Sequence, residues 1–194
     1  MTPHPPHPSR VRSPTLTSDT HARSRNPVSP AIPAQHVSAR HPGGLAGFND
    51  APRPAAEATL LACCGSRRWA ERVAAHRPYP TLDALLAAAD EAGYDLSRTD
   101  LDEALARECS AAPAAGAPAA AQTALRAAHA AYESTFGHAF VISLDGVHPD
   151  ERLDGVLAGI RSRLGNEKEE ERAVAADELR RLARSRLTRA VAGP

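Results

Sequence analysis

Arg186 is the residue whose placement most invites chemistry. It stands within ELRRLARSRLTRAV (178–191), where Leu179, Leu182 and Ala183 set an apolar face that Leu187, Ala190 and Val191 continue. Lying four residues after Leu182 and three after Ala183, Arg186 edges that face. A guanidinium drawn toward a buried surface needs a carboxylate. The spacing admits either a structural partner or an anionic ligand.

Other reactive side chains are sparse. The body of the chain holds only four histidines, His76, His129, His138 and His148, on four separate segments. Each reads as a surface or packing residue rather than a metal ligand. Cys63 and Cys64 are adjacent and offer no CxxC spacing; with Cys109 they read as small helix side chains, reduced in the cytoplasm. The acidic run EKEEER (167–172) reads as a solvated helix start. No GxxxxGK[ST], GxGxxG, HExxH or GxSxG string occurs, so no metal or phosphate loop is expected.

The elements that must position these residues are helical almost throughout. Pro52 and Pro54 suit the first turn of a helix through AAEATLLACC, stopped by Gly65. Ser66 can cap RRWAERVAAH, which Pro78 and Pro80 end, and Thr81 can cap LDALLAAADEAG, with Gly93 as its stop. Ser97 and Asp100 form an acidic capping box for the next helix. Residues 110–121 are low-complexity, and a long helix resumes near Gln122 and reaches Tyr132. AAYESTFGHAFVISLDG (130–146) then breaks the rhythm, with Phe136, Gly137 and the apolar run AFVI. Two helices follow, one from Pro149 to Leu164 and one over EKEEERAVAADELRRLARSRLTRAV, acidic at its start and basic at its end. The pattern predicts an all-α fold, a single compact bundle of six or seven helices over 45–191, with a disordered N-terminal extension over 1–44.

Composition narrows the function classes. Lys plus Arg equals Asp plus Glu at 23 each, so no global basic field calls for nucleic acid. Residues 1–44 carry five arginines against one aspartate, with nine of the 17 prolines and five of the nine histidines. That extension lacks an apolar core of the secretory type, and no run in the chain is long enough to span a membrane.

Four strings, taken in order, resemble one family. GFND (47–50), CCGSRRWAERVAAHRPY (63–79), AAYESTFGHAFVI (130–142) and RLGNEKEEERAVAADELRRLARSRL (163–187) are similar to 2-oxo-4-hydroxy-4-carboxy-5-ureidoimidazoline (OHCU) decarboxylases. The markers are Trp69 with Arg77-Pro78, Tyr132 with Phe136-Gly137, Phe140, Asn166, the glutamates after it, and Arg186-Leu187. The resemblance implies an all-α, cofactor-free decarboxylase, usually a homodimer, that converts a small anionic ureide to (S)-allantoin and CO2 in urate breakdown. It implies that Arg186 holds a substrate oxygen by a forked hydrogen bond. It also implies that the backbone of Val141 and Ile142 lines the pocket.

Such a reaction needs the carboxylate held, the developing negative charge stabilised and a proton delivered to one face. Histidine suits that delivery near neutral pH. Here the chain departs from the family, which carries AHP after the fourth helix and a Ser-x-x-Glu-Gln motif about twenty residues on. Aligning ALA at 104–106 in ALARECSAAPAAGAPAAAQTAL places Glu108 at the catalytic histidine, Gln122 at the family glutamine and Ala121 at its glutamate. Glu108 is therefore the candidate catalytic residue, and Arg186, Val141, Ile142 and Gln122 the candidate binding residues. The alternative is a helical binding or regulatory module that keeps the fold without the chemistry.

Overall fold

The computed structural model describes residues 43–111 and 118–192, and among these every regular element is a helix. Its helices are α1 (Gly44–Asp50), α2 (Arg53–Cys63), α3 (Arg67–Ala75), α4 (Leu82–Tyr94), α5 (Arg98–Leu105), α6 (Ala119–Phe136), α7 (Arg152–Arg163) and α8 (Lys168–Val191). A 3-10 turn, Pro149–Glu151, leads into α7. The expected extension over 1–44 lies outside the described residues except for its last two positions, as does the middle of the low-complexity stretch.

The capping signals act where their residues stand. The Ser66 hydroxyl accepts from the Trp69 amide at 3.3 Å, and the Thr81 hydroxyl accepts from the Ala84 amide at 3.1 Å. Ser97 and Asp100 complete the reciprocal capping box of α5. Gly137 ends α6 with a φ of 81°, a left-handed conformation that needs no side chain.

The structure alters three expectations. The helix beyond the expected six or seven is α1, a seven-residue turn anchored by buried Phe48. Its last carbonyls are collected by Arg77, whose Nη1 donates to Phe48 O at 2.6 Å and Ala51 O at 2.8 Å. Gly93 does not stop α4, which runs on to Tyr94. A Cβ at Gly93 would lie 2.8 Å from Arg180 Cγ, so this glycine admits the arginine that crosses from α8 to stack on Tyr94. The run EKEEER is not wholly solvated, because Glu171 is fully buried.

Glu171 explains the break after α6. Its carboxylate accepts from Arg163 Nε at 2.9 Å, from Asn166 Nδ2 at 2.9 Å and from the Tyr132 hydroxyl. Arg163 Nη1 in turn donates to Val141 O at 2.8 Å, and its guanidinium lies 4.5 Å over the Phe140 ring. Burial, followed by the bond to Glu171, pushes the Tyr132 phenol well up. A buried ion pair is tolerated only when its remaining polar valences are filled, and four segments fill these. The network pins the irregular piece 139–143 between α6, α7 and α8.

Two apolar clusters surround this network. The larger joins α1–α5 to α8 through Leu60, Trp69, Leu85, Leu105, Leu179 and Leu187. The smaller gathers Leu125, Tyr132 and Phe140 against Val156 and Ile160 of α7. Truncating one such fully buried leucine to alanine costs about 2–5 kcal/mol.

Candidate active site

Leu187 is fully buried on α8, and its neighbour Arg186 is carried to the edge of the same face. The guanidinium reaches across to the α2–α3 turn, where Nη1 donates to Cys63 O at 3.2 Å. Gly65 lets α5 approach that turn, since a Cβ there would sit 2.8 Å from Arg107 Cβ and 3.2 Å from Ala104 O. Beyond Leu105 the backbone tightens, with Arg107 N donating to Ala104 O and Glu108 N to Leu105 O, both at 3.1 Å. This turn carries Glu108 inward. Its side chain keeps only 8% exposure, against 27% for Arg186.

The two charges close on each other. Arg186 Nη1 donates to Glu108 Oε1 at 2.6 Å and Nη2 to Oε2 at 2.8 Å. A two-bond fork of this kind is the strongest form of arginine–carboxylate recognition. The hydrogen bonds to Glu108 raise the Arg186 pKa further, so the guanidinium stays charged. Nearby, burial pushes Cys63 up to about 12 and Cys64 up to about 11. Both thiols therefore stay protonated, and neither supplies a thiolate nucleophile at neutral pH.

Glu108 also forms part of the wall of an open cleft of about 370 Å³. Cys109, Ser110, Glu133, Gly137 and His138 line the same cleft. Ser110 donates to Glu133 at 2.7 Å and accepts from the Phe140 amide at 3.3 Å, which ties the end of α5 to the piece after α6. Other depressions lie elsewhere on the described surface. An apolar one of about 240 Å³ lies against Trp69 and Leu101, where the Asp177–Arg180 and Asp90–Arg184 charges are already paired. Another, of about 500 Å³, is lined by Arg181, Arg184 and Arg189 of α8. No group of three or more metal-ligating side chains gathers among the described residues.

The candidate residues thus separate into two sets. Glu108 and Arg186 are brought into direct contact across 78 positions of sequence. Val141 is buried, and its carbonyl accepts from Arg163. Ile142 packs against Gly159 of α7. Gln122 lies in the first turn of α6, and none of these three lines the cleft of Glu108. His138, read from the sequence as a surface or packing residue, packs its ring edge-on against Tyr132 and also lines the cleft.

The comparisons with known proteins agree with this architecture. The sequence profile described as OHCU decarboxylase matches residues 49–110 and 106–188. No curated protein matches the chain. Among solved structures, a crystal structure of OHCU decarboxylase in the presence of (S)-allantoin is similar, with a TM-score of 0.58 and 22% identity over 66% of this chain and 94% of that one. A crystal structure of (S)-allantoin synthase is also similar, with a TM-score of 0.60 and 19% identity over 75% of this chain. The chain spans about half of that synthase, 53% of its length. At these identities the structural likeness speaks for the fold, whereas the profile covers most of the helical body and takes in both Glu108 and Arg186. The chain belongs to the OHCU decarboxylase family.

Proposed function

We propose that this chain is a carboxy-lyase that converts 2-oxo-4-hydroxy-4-carboxy-5-ureidoimidazoline to (S)-allantoin and CO2. The observation that carries this reading is the forked grip of Arg186 on a carboxylate at 2.6 and 2.8 Å. The guanidinium is a carboxylate receptor, held charged and partly desolvated behind Glu108, which lines a cleft large enough for a small ureide. A substrate oxygen that takes the place of Glu108 would meet the same two donors. As CO2 leaves, the fork would stabilise the negative charge that passes into the nitrogen–carbonyl system of the ring.

One observation favours a second reading. Glu108 occupies the fork with both of its oxygens, as it would in a helical module that keeps the fold without turning over substrate. The test is to generate the unstable ureidoimidazoline in situ and follow the circular dichroism of (S)-allantoin. Faster formation of one enantiomer than in buffer supports the lyase. A trace that matches the spontaneous reaction refutes it and leaves the module.

A further inference from the structure

The chain lacks a histidine at position 108, yet a histidine stands on the wall of the same cleft. His138 and Glu108 both line the depression of about 370 Å³, the first from the end of α6 and the second from the end of α5. We propose that His138 is the proton donor of the decarboxylation, an inference that rests on the lyase reading.

Four observations support the assignment. Both Glu108 oxygens accept from Arg186, so neither carries a transferable proton while the fork is closed. The His138 ring is held in place: Nδ1 lies 3.0 Å from Ala139 O, and the Tyr132 ring meets it edge-on at 5.6 Å. A carbonyl can only accept, so Nδ1 carries the proton in the neutral ring and Nε2 is the exchangeable nitrogen. The other described histidines stand elsewhere. His76 bonds to Arg72 O and His148 caps the 3-10 turn, while His129 is buried beside Phe140. None of them lines this cleft.

The chemistry balances with one proton taken up. The bond from C4 of the ring to its carboxylate breaks and CO2 leaves. The electron pair forms a C4–C5 double bond and passes charge to the former imine nitrogen, which takes a proton from solvent. His138 Nε2–H then protonates C5 on one face while the 4-hydroxyl releases its proton, giving the C4 carbonyl of allantoin. The neutral imidazole is recharged from water. Glu108 and Cys109 from the end of α5, and Glu133 from α6, are the titratable groups facing this step.

The test compares wild type, H138N and H138A in the in situ assay across pH. A positioned general acid contributes about 10²–10⁴-fold, so H138N should lose kcat on that scale with a far smaller change in KM. The pH profile of kcat in H138N should also differ from that of wild type. Added imidazole should restore part of the H138A rate, which a merely structural role would not allow. An active wild type with H138N at the same kcat overturns this inference alone, as does an H138A that imidazole cannot rescue. A wild type that does not accelerate the reaction overturns the lyase reading and this inference with it.

Discussion

The guanidinium of Arg186 and the carboxylate of Glu108 form a two-bond fork at 2.6 and 2.8 Å, bridging α8 and the end of α5. The residue that the family resemblance assigns to substrate binding is held by the residue that the same resemblance aligns with the catalytic histidine. That pairing makes each of the two a sensitive probe of the other.

Arg186→Ala should abolish turnover in the circular dichroism assay. It also strands a carboxylate that is 8% exposed, so the melting temperature should fall. Removing one partner of a buried pair costs about 3–5 kcal/mol, and the partial exposure of Arg186 places this case toward the lower end. Pairing the change with Glu108→Leu should restore most of the stability and none of the activity. Full turnover in Arg186→Ala would remove the fork from the mechanism.

Glu108→Gln should strengthen binding of the anionic substrate. The internal competitor becomes a neutral amide, and one charge-assisted hydrogen bond contributes about 1.5–3 kcal/mol. KM should then fall by about tenfold or more. A collapse of kcat at constant KM would instead identify Glu108 as the proton carrier and refute the competitor role.

Of the three cysteines, only Cys109 is exposed. Burial holds Cys63 near 12 and Cys64 near 11, so both remain thiols at pH 8. An aromatic disulfide reagent should titrate one thiol promptly in the native protein and three after denaturation. Prompt reaction of all three would mean that the α2–α3 turn opens readily and that the floor of the Arg186 site is loose.

His129 should make the fold sensitive to acid. Its Nε2 is buried without a hydrogen-bond partner among the described residues, and burial lowers its pKa from 6.5, with Glu133 opposing. The unfolded chain therefore takes the proton first. The contribution to stability is complete above about pH 6.5 and is lost as pH falls through the lower folded value. Melting temperatures should decline over that window in wild type and decline less in His129→Leu. Identical slopes would assign the acid sensitivity to other groups.

Much of the fold was legible because its signals are local. Ser66, Thr81 and the Ser97–Asp100 box each act within three residues of themselves. The stripe around Arg186 repeats at helical spacing, and Leu179, Ala183 and Leu187 are buried as it requires. Gly93 was misread because a glycine near a helix end resembles a stop, whereas here it makes room for Arg180 from a distant segment.

The sequence by itself determined the helices, the apolar faces and the need of Arg186 for a carboxylate, since periodicity and charge desolvation act through near neighbours. Tertiary structure alone decided which carboxylate answers that need. Glu108 lies 78 residues away and arrives only because Gly65 admits α5 to the α2–α3 turn. Tertiary structure likewise buried Glu171 among Tyr132, Arg163 and Asn166, and set His138 on the wall of the cleft that Glu108 also lines. Such pairings depend on how helices pack. No local pattern encodes them, because the desolvation that makes them strong exists only after the core has closed.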